Sequence, residues 1–188
     1  MNQEIRLTFD KPSFYRWVVE QEGRFELENG RVIDMIGATK AHNTVVSNFI
    51  FELRLRIDAD VWRVVPCDQA VEIEDNVRFP DIVVERLDAP GGPLVAEFAV
   101  LVVEVLSPSS VARDVRMKAG EYLSLTHLKT YIVASQDDPR VWVWQRDPSG
   151  AFPAEPVEVL GREKELEVAA FGPAITLPLA GLFRGIGG

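Results

Sequence analysis

"EFAVLVVEVLSPSS", residues 97–110, is an apolar strand carrying a glutamate where a covered sheet has no ready place for one. The run from Phe98 to Leu106 is apolar on both pleat faces, with Phe98, Val100 and Val102 on the face that Glu104 shares. A strand apolar on both sides belongs inside a sheet covered on both faces. An unpaired ionised carboxylate is costly there, so Glu104 needs a cation, a hydrogen-bond cage or a cleft.

The nearest candidate neighbours are charged as well. Asp81 opens the apolar run "DIVV" directly after Pro80 in "RFPDIVVER". Proline cannot donate a ladder hydrogen bond, so it marks a strand start or an edge and holds Asp81 at that end. Strands bearing Asp81 and Glu104 follow one another in the chain, and consecutive strands usually adjoin in a sheet. Two carboxylates brought side by side repel unless a cation lies between them. One reading is Mg²⁺, which takes one or two carboxylates plus other oxygens, the Val105 backbone carbonyl among them. The other is a structural pair bridged by an arginine. Downstream, "DVRMKAGEY" sets Asp114, Lys118 and Tyr122 at four-residue intervals, hence on one helical face. That face is either solvated, with an Asp-to-Lys ion pair, or turned to deliver the Lys118 ammonium to the end of the Glu104 strand.

Further out, "KPSFYRWVVEQEG" places Phe14, Trp17 and Val18 at helical spacing, with Asp10 or Ser13 as cap and Gly23 as stop. "RFELENGRVIDMI" alternates around Asn29-Gly30, a strong two-residue hairpin signal. Thr39 to Ile57 carries Val45, Val46, Phe49, Ile50, Leu53 and Ile57 at helical spacing and reads as the long helix. "VWRVVP", "QAVEIE" and "RFPDIVVER" read as three strands, the last two joined by a turn at Asp75-Asn76. "SPSSVARDVRMKAGEYLSL" opens with cap residues and continues as an amphipathic helix. "TYIVAS" and "RVWVWQR" are two more strands, with Trp142 and Trp144 on one face as core or interface. "EPVEVL" and "ELEVAA" are expected to form a last pair, and "FGPAITLPLAGLF" a docked segment rather than a regular element. Strands flanked by helices, without repeat or linker, indicate one α/β (mixed α+β) domain over residues 1–188.

The 188 residues suffice for a core without disulfides or structural metal. The single cysteine, Cys67, excludes a disulfide framework and a multi-cysteine zinc site, and reads as a small buried hydrophobe. The start "MNQEIRLTFDKPS" has no basic-then-apolar signal pattern, and no stretch approaches the roughly 20 apolar residues of a membrane helix. The expectation is a soluble, cytoplasmic protein without a membrane partner. A net charge of −9 argues against strong non-specific affinity for nucleic acid. It leaves room for a local basic track, for which Arg54, Arg56, Arg63, Arg78, Arg86, Arg113, Arg116 and Lys118 are the mid-chain candidates; the alternative is ordinary solvated surface.

"FELENGRVIDM", "FPDIVVE", "LVVEVLSPSS" and "RDVRMKAGEYLSL", in this order, resemble a family of small bacterial restriction endonucleases. That family was formerly a domain of unknown function and lies in the PD-(D/E)XK nuclease superfamily. The resemblance runs from about Phe25 to Val143, with "EVLSPSS" and the following Asp and Lys its most specific part. It implies a restriction-endonuclease-like core, a mixed central sheet flanked by helices with additional β-hairpins, in about residues 25–145. It implies that Asp81 and Glu104 bind Mg²⁺, with Mn²⁺ as substitute, and that Lys118 is a lysine moved to the helix from a strand position here occupied by Leu106. Glu26 matches the family's early acidic position, though it could equally be a solvated strand residue. His42 matches a recurrent histidine at the start of the long helix, where it could also simply cap or pack. Phe25 stands where the family has a tyrosine, and Arg31 where an acidic residue is common.

The implied activity is Mg²⁺-dependent endonucleolytic hydrolysis of nucleic acid, DNA first, and cutting both strands of a duplex suggests a homodimer. Two other readings stand beside it. One is a catalytically inactive module of the same fold that binds nucleic acid or mediates oligomerisation, which the negative charge and the lack of a DNA-reading domain favour. The other is a hydrolase for a small phosphorylated molecule, which a deep closed pocket would favour.

Overall fold

In the computed structural model, residues 8–35, 37–106 and 118–187 are described. The chain runs α1 (Lys11–Val18), β1 (Phe25–Glu28), β2 (Arg31–Asp34), α2 (Lys40–Arg54), β3 (Trp62–Pro66), β4 (Val71–Ile73), β5 (Asn76–Arg78), β6 (Ile82–Arg86) and β7 (Leu101–Leu106). It continues with α3 (described over 118–123), β8 (Thr130–Ser135), β9 (Arg140–Gln145), β10 (Val157–Leu160), β11 (Glu165–Val168), β12 (Ile175–Pro178) and α4 (Leu179–Leu182). The helix start expected at Ser107–Ser110 lies outside the described residues, as do Arg113, Asp114 and Arg116.

β7 is a central strand, as its two apolar faces require. The main sheet has the order β10-β9-β8-β7-β6-β3 and is mixed: β7 pairs parallel with β8 and antiparallel with β6. One face packs Leu101, Val103 and Val105 against Val45, Val46, Phe49 and Leu53 of α2 and against Leu166, Leu177, Leu179 and Leu182. The other sets Val83, Val102, Tyr131, Val133 and Trp144 against Tyr122 of α3 and against Val71 and Ile73 of β4. Each fully buried aliphatic or aromatic side chain contributes about 1.5–3 kcal/mol, so both faces contribute to the stability of the sheet.

A second sheet, β2-β1-β5-β4, is wholly antiparallel and rests on α1 through Phe14, Leu27 and Val77. Asn29 and Gly30 turn its first hairpin with φ of 48° and 77°, the two positive values that a type I′ turn demands. Its second hairpin turns at Glu74 and Asp75, since Ile73 pairs with Asn76; the turn lies one residue before the expected Asp75-Asn76.

Further expectations change. "RFPDIVVER" is not one strand: Arg78 ends β5 in the small sheet, and Ile82 begins β6 in the large one. Pro80 between them lacks the donor that a continuous ladder would need. The regular strand of the Glu104 run starts at Leu101; Phe98 instead sets its ring against His127, with centroids 4.4 Å apart. β10 and β11 do not pair with each other. β10 extends the large sheet beside β9, and β11 pairs with β12, formed by the tail that was expected to be irregular. Trp144 is core and Trp142 packs half-buried against it.

Candidate active site

The β6–β7 register sets Ile82 opposite Val103, so one step further the chain brings Asp81 beside Glu104. Asp81 sits where the small sheet hands over to the large one. Its backbone carbonyl accepts from Cys67 N–H at 2.9 Å, and its side-chain Oδ2 accepts from Val105 N–H at 2.8 Å and lies 3.0 Å from His42 Nε2. Because a carboxylate only accepts, His42 Nε2 carries the proton in that contact. His42 is positioned by the cap of α2: Thr39 Oγ1 accepts from its backbone N–H at 3.1 Å and donates to Gln136 Oε1 at 2.8 Å. Burial alone would lower the imidazole pKa, but the hydrogen bond and charge of Asp81 raise it.

Glu104 is 4 % exposed. Its Oε1 accepts from Tyr122 Oη at 3.0 Å and lies 3.4 Å from the Lys118 ammonium. α3 thus supplies both partners, spaced one turn apart, as the helical face predicted; Asp114, the third member of that face, lies outside the described residues. Burial pushes the Glu104 carboxyl up to about 7, with Lys118 pulling it back and the charges of Asp81 and Glu26 adding to the rise. Burial acts downward on Lys118, but Glu104 and Glu26 outweigh it and hold the ammonium charged. Tyr122 is pushed well above its ordinary value, chiefly by burial, and stays a neutral donor.

Glu26 reaches the same centre from β1. Its Oε1 is 3.1 Å from Lys118 Nζ and accepts from Phe79 N–H at 3.4 Å, while its Oε2 is 3.0 Å from Arg78 Nη1. Glu26 is buried and not a solvated strand residue. Asp81, Glu104, Val105, Lys118, Glu26 and His42 therefore converge on one place, between the end of β7, the start of β6, α3 and the small sheet.

Arg78 is the residue that sequence reading placed only among scattered arginines. It is buried on β5, and its guanidinium binds Glu26, Glu28 (3.0 Å) and Glu121 (2.7 and 2.8 Å), tying two glutamates of β1 to α3. A strand position flanked by apolar Val77 and Phe79 was the one available signal for its burial. Of the other mid-chain arginines, Arg56, Arg63 and Arg86 pair with Glu52, Glu85 and Asp88, and Arg54 donates to the Val64 carbonyl. Cys67 is half-buried rather than the buried hydrophobe expected: it has φ 58°, its Sγ donates to the Asp81 carbonyl at 3.6 Å, and burial raises its thiol pKa.

The donor set fits a hard divalent ion. Every described hydrogen bond to the Asp81 side chain uses Oδ2 and every one to that of Glu104 uses Oε1, which leaves Asp81 Oδ1 and Glu104 Oε2 unengaged by them. Val105 sends its N–H toward Asp81, and a strand residue's carbonyl leaves on the same side, so a third oxygen lies on the Asp81 side of β7. Among the described residues no three His, Cys, Asp or Glu side chains form a metal-binding group, so the set is two carboxylates and a carbonyl, of the kind that Mg²⁺ completes with water.

A mixed sheet with helices on both faces and acidic groups at one end of its central strands is a nuclease-like fold. The family model described as "Uma2: Putative restriction endonuclease" matches residues 12–180, and the chain belongs to that family. No curated protein matches the chain. A crystal structure titled as that of "a putative nuclease belonging to DUF820", from Anabaena variabilis, is similar in fold, with a TM-score of 0.75 over 93% of this chain and 97% of that one, at 16% identity. No described helix is long and apolar enough to cross a membrane.

Proposed function

We propose that the chain is a metal-dependent endonuclease that hydrolyses phosphodiester bonds, DNA first, with Mg²⁺ or Mn²⁺ held by Asp81, Glu104 and the Val105 carbonyl. The observation that carries this reading is the pair of oxygens, Asp81 Oδ1 and Glu104 Oε2, that no hydrogen bond among the described residues uses, on carboxylates held side by side by partners on their other oxygens. A bound divalent ion supplies Lewis-acid polarisation of a phosphoryl oxygen and a lower pKa for its water. The chain's own residues do the rest. His42 and Val105 N–H fix Asp81, Tyr122 fixes Glu104, and Lys118 presents a permanent positive charge to the attacked phosphate, where charge accumulates in the transition state. Cutting both strands of a duplex calls for two such sites, which a homodimer supplies.

The test is cleavage of supercoiled plasmid and of single- and double-stranded oligonucleotides with Mg²⁺ or Mn²⁺. Asp81→Ala and Glu104→Ala are each expected to reduce turnover by at least about 100-fold while the protein stays folded by circular dichroism. Either variant cutting at the wild-type rate sinks the proposal. A second reading, a non-catalytic oligomeric module of the same fold, draws on the mid-chain arginines: those described are engaged by nearby carboxylates or carbonyls rather than lined up for phosphates. An oligomer that neither binds nor cleaves oligonucleotides under any metal would favour it.

A further inference from the structure

Three carboxylates meet near the end of β7, and they are not equivalent. Asp81 and Glu104 each keep one oxygen that no described hydrogen bond uses. Glu26 keeps none: Lys118 and Phe79 N–H engage Oε1, and Arg78 engages Oε2. The Lys118 ammonium stands between Glu26 Oε1 and Glu104 Oε1, at 3.1 and 3.4 Å. Both carboxylates are nearly fully buried, and a cation between them offsets the repulsion and desolvation that such a pair carries when ionised. An ammonium bridging two carboxylate oxygens does there what a hard divalent ion does elsewhere.

We infer that Lys118 is an internal cation occupying the place of a second divalent ion, so that the chain binds one such ion, on Asp81 and Glu104. Glu26 is then a positioning residue that holds Lys118 and not a metal ligand, and Arg78 keeps Glu26 turned to that task. This rests on the metal-site reading of Asp81 and Glu104 given above.

The experiment is Mn²⁺ binding, by calorimetry and by the loss of the free-ion electron paramagnetic resonance signal, without nucleic acid. Wild type is expected to bind one ion, Lys118→Ala two, and Lys118→Ala/Glu26→Gln one again. Glu26→Gln alone is expected to keep one ion with less than about a tenfold change in affinity, smaller than the loss of a ligand. That single variant retains every cation and tests the assignment of Glu26 even if Lys118→Ala folds poorly. One ion in wild type and one in Lys118→Ala overturns the inference and leaves the metal site standing, as does a loss of binding in Glu26→Gln. Two ions in wild type overturn it too. No ion in wild type but one in Lys118→Ala supports Lys118 as an internal cation and removes the metal reading of the native site; no ion in either removes both.

Discussion

Glu104 and Glu85 are a matched pair with opposite surroundings. Both are 4 % exposed, they lie on neighbouring antiparallel strands, and each follows by two residues a member of the same core cluster, Val102 and Val83. Burial pushes both carboxyls up. Antiparallel pairing sends them to opposite ends of the sheet. At the Glu85 end, the carboxylate meets one arginine, Arg63, at 3.1 Å, whose side chain is 42% exposed, with the charge of Glu97 acting on it as well. At the Glu104 end, two further carboxylates, a half-buried lysine, a tyrosine and a histidine converge from α2, α3, β1 and the start of β6. A buried glutamate in a strand is therefore not in itself the mark of a site. The mark is that elements remote in sequence each spend a polar side chain on the same place, and that the cation among them is more withdrawn from water.

The contrast breaks first, and hardest, at the cations. Arg78→Ala leaves buried Glu26 without one of its two cations and cuts the link from the small sheet to α3; it is expected to cost about 3–5 kcal/mol in urea unfolding. Arg63→Ala at the other end removes a partly solvated partner, and less than about 1 kcal/mol is expected. Equal losses would show that the two ends do not differ as described. His42→Ala comes next: it withdraws the ring that orients Asp81 and is expected to weaken Mn²⁺ binding by about 10–100-fold with little change in fold. An unchanged affinity would return His42 to a packing role.

Much of this end was legible before the structure. Glu104 is conspicuous because a two-faced apolar run has no reason to carry a carboxylate, Asp81 because it follows a proline at a strand start, and Lys118 with Tyr122 because their spacing puts them on one face. The Asn29-Gly30 hairpin and α2 carried local signals strong enough to stand alone. What was not legible depends on pairing at a distance. Arg78 looks like any surface arginine until β5 is placed in a second sheet, and that requires seeing that Pro80 divides one apparent strand into two. β10 and β11 are both short alternating runs that fit each other on paper. Their true partners, β9 and β12, are chosen by which faces remain to be covered, and β12 hides in a proline-bearing tail.

The smallest expected effect sharpens the comparison from the side of pH. Glu85 has its carboxyl raised above the ordinary value of 4.5, burial outweighing the pull of Arg63. A raised carboxyl favours the protonated form in the folded state. Its contribution is fully present below the unfolded pKa and is lost as pH rises through the folded one, so at neutral pH the ionised, buried Glu85 is a net burden. Glu85→Gln removes that burden and gives up only a partly solvated ion pair, so unfolding free energy should rise by up to about 1 kcal/mol at pH 7.5. The gain should shrink to nothing as pH falls toward 4.5. Parallel stability curves for wild type and Glu85→Gln across that interval would mean that Arg63, despite its exposure, already holds Glu85 charged at no loss. The two ends of the sheet would then differ in how many groups they gather, and not in how well each carboxylate is served.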